Sequence, residues 1–198
     1  MISYIQMNFW SIDGSIGSGK STVIEKLNKR LGLKIAEEPV HEWGEWLEKY
    51  YQDKKRWGFS FQMKVILGQA KVLSNLTENE FIIMERSPQT VYHVFASMLK
   101  DEQIIDPIEY DLINEFIEYN TKPVNTIYLK CNPETCFARI QSRGREAEQS
   151  IDMNYLDQLH EKYENMPNSY VIDSSQSEEK VYNDIVKILI SHGYIKEE

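Results

Sequence analysis

A chain of 198 residues that is 41% hydrophobic fits one domain, residues 1–198, with a buried core. Its formal net charge of −9 argues against a protein that coats nucleic acid or a membrane surface, because such binding rests on many Lys and Arg contacts to phosphate. A small anionic ligand stays compatible, since arginines and backbone amides gathered in one cleft reverse the sign locally.

Short apolar runs alternate with longer segments of helical period, which predicts an α/β fold: a parallel sheet with helices on both faces. The first strand is expected at 8–12 and the first helix at 20–30. Between them, Gly14-Ser15-Ile16-Gly17-Ser18-Gly19-Lys20-Ser21 matches the phosphate-binding pattern G-x-x-x-x-G-K-[ST]. The glycines permit positive φ and turn the loop's N–H groups inward, and the following helix adds its N-terminal donors. Lys20 is expected to reach the β- and γ-phosphates of a nucleoside triphosphate. Ser21 or Thr22 offers a hydroxyl to Mg²⁺.

A second strand, at 34–37, runs into Glu37-Glu38-Pro39-Val40 and is followed by helices at 43–51 and 60–76. A third, at 81–84, ends in Glu85-Arg86-Ser87 before a helix at 88–99. A helix at 107–120, a strand at 126–130 and a helix at 133–142 come next. Pro88, Pro107 and Pro133 each mark a first helical position, where a missing N–H costs little. Arg139, Arg143 and Arg145 belong to a Gly-containing segment, 139–149, suited to a lid that closes over phosphates. A helix at 153–165, a strand at 170–172 and a helix at 178–191 complete five strands.

Ligands in open α/β sheets bind beyond the carboxyl ends of the strands. Glu38, Glu85, Arg86 and the lid arginines are therefore expected on one rim with the phosphate loop. Singly, these clusters read as a solvated strand end, a surface ion pair with a helix cap, and a solvated helix end. Together they supply what phosphoryl transfer needs: cations to spread the developing charge and a carboxylate to take a hydroxyl proton.

The longest apolar runs, 65–67 and 81–84, are too short to cross a bilayer. Positions 1–9 show neither the basic nor the long apolar region of a leader. Cys131 and Cys136 have no metal or disulfide spacing and read as reduced thiols, so a cytoplasmic protein is expected. His41, His93, His160 and His192 form no metal pattern.

Beyond the phosphate loop, the sequence resembles the deoxynucleoside kinase family, which includes the animal deoxynucleoside, deoxycytidine and mitochondrial thymidine kinases. The likeness runs from Ile12 to Asn165. It rests on Ile12-Asp13-Gly14 with the loop, Glu38-Pro39-Val40 with Trp43, and Tyr51 through Arg56-Trp57 to Phe61-Gln62. It continues through Glu85-Arg86-Ser87, Tyr92, Phe95-Ala96, Asn132-Pro133-Glu134-Thr135-Cys136, Arg139-Ile140, Arg143-Gly144-Arg145, Glu148, Tyr155-Leu156 and Leu159-His160.

The resemblance implies a P-loop kinase-type three-layer fold and transfer of the γ-phosphate of ATP, with Mg²⁺, to the 5′-hydroxyl of a deoxynucleoside in nucleotide salvage. It implies that Glu38 accepts the 5′-hydroxyl proton, that Arg86 lies beside the 5′-oxygen and that Glu85 stands on the Mg²⁺ side. Tyr51 and Glu148 would hold the sugar 3′-hydroxyl, and Gln62 would read the base edge. Trp43, Trp57 and Phe95 would surround the base, while Arg139, Arg143 and Arg145 would serve the lid. It also implies a homodimer packed through helices beside the sheet, with 60–76 and 88–99 as candidates, and inhibition by an end-product triphosphate.

One carboxamide presents a donor and an acceptor, so Gln62 can pair with thymine in one orientation and with cytosine in the other. Relatives that favour deoxycytidine and purines carry an Arg–Asp pair where this chain has Gln69 and Val91, and Val65 matches the bulkier choice of the thymidine-accepting members. The expected substrates are thymidine and deoxycytidine, with thymidine preferred. No role for Gln69 follows from the sequence. Two other readings share the phosphate loop: a nucleoside monophosphate kinase, which requires a site for an acceptor phosphate, and a non-catalytic nucleotide-binding regulator, which would be marked by loss of Glu38 or Lys20.

Overall fold

The structure, a computed structural model, describes residues 9–38, 40–77, 80–145, 148, 151–167 and 169–196. Asn8, Pro39 and the lid positions Glu146, Ala147 and Gln149 lie outside the described residues.

Five strands form one parallel sheet in the order β2-β3-β1-β4-β5. They are β1 (Phe9–Asp13), β2 (Ile35–Ala36), β3 (Ile82–Glu85), β4 (Asn125–Lys130) and β5 (Ser169–Asp173). Side chains alternate across a strand, and β4 shows the consequence. Ile127 and Leu129 pack with Trp10 and Ile12 against α1 (Lys20–Leu31) and α9 (Glu178–Ser191). Tyr128 points to the opposite face, where it meets Val94 and Met98 together with Leu156, Leu159 and Tyr163 of α8 (Met153–Glu164). The expected three layers are thus formed.

The long helix expected at 60–76 is α3 (Lys54–Ser74), which begins six residues earlier. Asp53 sets that start, its side chain accepting from the backbone N–H of Arg56 at 3.0 Å. The helix expected at 43–51 is α2 (Gly44–Gln52), entered through a 3₁₀ turn, Val40–Trp43. Residues 88–101 are helical throughout but not uniform. α4 (Pro88–Thr90) and α5 (Ser97–Asp101) flank a π-helical stretch, Val91–Ala96, a form that clusters at functional sites. α6 (Pro107–Asn120) has a full capping box, with Asp106 accepting from Ile108 N and Glu109 accepting from Asp106 N. α7 (Pro133–Arg143) is capped by Asn132.

The apolar side chains of 91–99 are largely interior. Exposed apolar residues on the helices beside the sheet include Leu67 of α3 and Ile108, Leu112 and Tyr119 of α6; others are Val40, Tyr51, Tyr170 and Val171. Asp173, at the end of the edge strand β5, accepts from the amide and hydroxyl of Ser175 and so serves a turn. Both cysteines are free and buried. Among the described residues, no helix is long and apolar enough to cross a membrane.

Candidate active site

Parallel pairing brings the strand ends to one rim. Ile12 of β1 stands level with Glu85 of β3, and Asp13 with Tyr128 of β4. The phosphate loop leaves β1 at this edge and settles against its neighbours too closely for any side chain at two positions. A Cβ on Gly17 would lie 2.6 Å from the Cys136 carbonyl, and one on Gly14 would lie 2.8 Å from the Leu129 carbonyl. Both glycines have positive φ, 82° and 146°. Ile16 packs partly buried against the α7–α8 cluster.

Lys20 is 6% exposed. Its ammonium folds over the loop and donates to the Gly14 and Ser15 carbonyls at 2.9 and 3.0 Å. Burial, helped by the Arg86 charge, draws its pKa down to about 7 against the opposing pull of Glu85, Glu38 and Asp13. The hydroxyls of Ser15 and Ser18 are buried without a hydrogen-bond partner among the described residues, an arrangement that phosphate oxygens would satisfy. Gly19 caps α1 in the left-handed conformation. Ser21 Oγ donates to Glu85 Oε1 at 3.4 Å. A hydroxyl beside a carboxylate is a hard oxygen pair that suits Mg²⁺, which takes few protein ligands and fills its shell with phosphate and water. Among the described residues, no three His, Cys, Asp or Glu side chains gather as a metal cage.

Glu38 and Arg86 form an ion pair. Burial pushes the Glu38 carboxyl up, and Arg86 and Lys20 oppose this while Glu85 adds to it. Burial also disfavours the Arg86 charge, but Glu38, Tyr163 and Glu85 more than offset it. The Arg86 guanidinium lies 5.3 Å from the Phe95 ring centre. Its backbone is left-handed, φ 62°, a conformation uncommon for a non-glycine residue and over-represented at functional sites.

Next to this pair, α3 presents Gln62, Val65 and Gln69 at helical spacing, all buried. Trp43 is buried edge-on to Phe61, with ring centres 6.1 Å apart, and Val91 joins them from the π-helical stretch. Trp57 sits apart from this group. It packs on Trp46 at 6.1 Å, with Arg56 and Lys49 over its ring at 4.8 and 4.9 Å.

The expected Tyr51–Glu148 pair is not joined. Tyr51 is 60% exposed, whereas Glu148 accepts from Arg143 at 2.6 and 3.1 Å and pairs with Arg145 at 3.7 Å. Two nearby cations hold the carboxylate more strongly than a neutral phenol would. Arg139 roots the lid: it donates to the Gly17 carbonyl at 3.3 Å and to the Ser174 carbonyl at 3.0 Å. A cleft of about 280 Å³ opens here, lined by Gly17, Thr22, Arg139, Ser174, Gln176 and Val181. A second, of about 290 Å³, lies beside Ser21, Glu37 and Glu85.

Sequence reasoning assigned no role to three residues here. Asp13 is fully buried and accepts from Ser11 Oγ at 2.6 Å, Thr90 Oγ1 at 2.5 Å and Ser87 N at 3.3 Å. Its signal was a carboxylate ending an apolar strand. Tyr50, rather than Tyr51, stacks on Phe61 at 5.0 Å. Tyr163 is buried with its hydroxyl beside Arg86 and the Gly14 amide, without a well-aligned hydrogen bond.

This geometry can be set beside known proteins. The deoxynucleoside kinase profile matches residues 10–192. A kinase-named protein of Invertebrate iridescent virus 3 is 35% identical over 185 residues, covering 90% of this chain and 94% of the viral protein. The deoxyadenosine/deoxycytidine kinase of Bacillus subtilis is 32% identical over 162 residues, covering 78% of this chain and 74% of its own. The structure of a deoxyadenosine kinase from M. mycoides, with dCMP and dCDP bound, superposes with a TM-score of 0.78 at 28% identity, covering 91% of this chain and 98% of the other. The family profile spans nearly the whole chain and the fold superposes on a solved member, so the chain belongs to the deoxynucleoside kinases, phosphotransferases that act on nucleosides.

Proposed function

We propose that the protein transfers the γ-phosphate of ATP to the 5′-hydroxyl of pyrimidine deoxynucleosides, thymidine before deoxycytidine. The observation that carries this reading is the buried Glu38–Arg86 pair, electrostatically coupled to Lys20 at the mouth of the phosphate loop.

In this reading the loop amides, the Ser15 and Ser18 hydroxyls and Lys20 take the ATP phosphates. The 280 Å³ cleft beside Arg139 and Gln176 takes the donor base. Ser21 and Glu85 would hold Mg²⁺, which supplies charge neutralisation at the phosphates. Glu38 accepts the proton of the 5′-hydroxyl as that oxygen attacks, and Arg86 steadies the charge that develops beside it. Arg143 and Arg145 are released toward the phosphates when Glu148 turns to the sugar.

Gln62 reads the base edge, and Trp43 and Phe95 flank its plane. Val65 and Val91 are buried apolar side chains of the same cluster as Trp43, and they support thymidine over purines in this reading. The relatives do not share one base: the Bacillus subtilis kinase is named for deoxyadenosine and deoxycytidine, and the M. mycoides enzyme for deoxyadenosine. The test is turnover of thymidine, deoxycytidine, deoxyadenosine, deoxyguanosine and thymidine monophosphate with ATP and Mg²⁺. Highest kcat/KM on thymidine sustains the reading. Highest kcat/KM on deoxyguanosine or deoxyadenosine overturns the base assignment, and turnover of the monophosphate alone overturns the acceptor.

Two properties of the assembly belong to the same proposal. The exposed Leu67, Ile108, Leu112 and Tyr119 on α3 and α6 suit burial against a second copy. End-product triphosphate is expected to inhibit by spanning both halves of the site. The M. mycoides enzyme has been captured with dCTP.

A further inference from the structure

Arg86 pairs with Glu38, and its backbone is left-handed. A conformation of that kind persists only where neighbours over-determine it. Three bonds converge on its peptide groups. Arg86 N donates to the Ile12 carbonyl at 3.2 Å. Ser87 N donates to Asp13 Oδ1 at 3.3 Å. Gln69 Nε2 donates to the Arg86 carbonyl at 3.4 Å.

The third bond comes from a different layer. Gln69 stands on α3, buried among Val65, Ile66, Ala70 and Leu73 of the same helix. Its own Oε1 is buried with no hydrogen-bond partner among the described residues. A buried acceptor left unpaired costs stability, and an apolar side chain of similar size would remove that cost. Glutamine is thus a poor choice for packing here. What it gains is one donor, aimed at the peptide that turns Arg86 toward Glu38.

We infer that Gln69 is a positioning residue, holding the left-handed Arg86 peptide from α3 so that the guanidinium meets Glu38 at the transfer site. Asp13 supports the same turn from β1 through Ser87 and Thr90. The inference rests on the kinase reading given above. It gives a role to a glutamine to which the sequence assigned none.

The experiment compares full-length wild type with Gln69→Leu, and with Gln69→Met as a second variant, using ATP and the best nucleoside. Loss of one aligning hydrogen bond is expected to lower kcat about tenfold, with both KM values changed by less than about threefold. Leucine removes the unpaired Oε1 but also takes the donor from the Arg86 carbonyl, so the melting temperature is expected to change little, and a kcat loss at constant stability separates positioning from general destabilisation. In an Arg86→Lys background the same substitution is expected to change kcat by less than about twofold, because its route to the reaction is gone. Unchanged kcat in the single variants would overturn the inference. So would a kcat loss that accompanies a lower melting temperature and adds in full to that of Arg86→Lys. If wild type phosphorylates no nucleoside, the functional reading fails and the inference falls with it. If wild type is active and Gln69→Leu matches it, the inference alone fails.

Discussion

The Glu38 carboxylate and the Arg86 guanidinium meet in a pocket that leaves their side chains only 11% and 13% exposed. They come from two different strand ends, the carboxylate from the loop after β2 and the guanidinium from the turn after β3. Because the pair is nearly dry, removing either member would leave the other as a buried charge without compensation.

Replacing Glu38 by Gln keeps the size and removes the base. We expect kcat to fall by about 10²–10⁴-fold, with nucleoside KM changed much less. Steady-state kinetics on thymidine and deoxycytidine check this. A variant that retains most of its kcat would assign the proton to another acceptor.

Glu38 also sets a pH limit. Burial raises its carboxyl above the ordinary glutamate value despite Arg86, and only the ionised form can accept a proton. The acid limb of kcat/KM should therefore fall at a pH higher than an exposed glutamate would give. A pH–rate profile with the limb at or below the ordinary value would count against Glu38 as the base.

Lys20 makes the opposite kind of signal. Its pKa is drawn down to about 7 in the fold, against about 10.4 in an unfolded chain. Between those values the unfolded chain binds the extra proton, so stability of the free protein should rise with pH across that window. Lys20→Met should flatten that rise. Binding of ATP phosphates favours the charged amine, so titration at pH 8 in buffers of different ionisation enthalpy should show proton uptake in wild type. Lys20→Met should not show it.

Gly17→Ala tests the loop itself. The new methyl would press on the Cys136 carbonyl at 2.6 Å while the residue keeps φ 82°. Left-handed backbone alone costs an L-residue about 1–2 kcal/mol, and the backbone contact adds to it. A lower melting temperature together with weakened ATP binding is expected. Gly19→Ala, where nothing lies within 4 Å of the added atom, should be milder.

The α3–α6 face can be probed apart from the chemistry. Ile108 and Tyr119 are 78% and 80% exposed. Changing both to Arg should convert a dimer to monomer in light scattering coupled to gel filtration, with little loss of monomer stability. A wild-type chain that is monomeric at tens of micromolar would remove the proposed interface.

Much of this protein was legible in its residues, for reasons that are local. The strand–loop–helix around Gly14–Lys20 follows from glycine conformation and apolar periodicity, and prolines and caps fixed the starts of α6 and α7 to the residue. The start of α3 was read late, because Asp53 caps a first turn of Lys and Arg that shows no apolar period. Other features required the chain to be folded. The union of Glu38 and Arg86 is set by strand order, which no local pattern encodes. Glu148 turned to Arg143 and Arg145 because the lid arginines are its nearest charges, and Trp57 turned to Trp46 because α2 packs on α3. The clearest case is Gln69. In the sequence it is an unexplained polar residue in a helix, and only the tertiary structure sets its amide against the carbonyl of a strained arginine seventeen residues away.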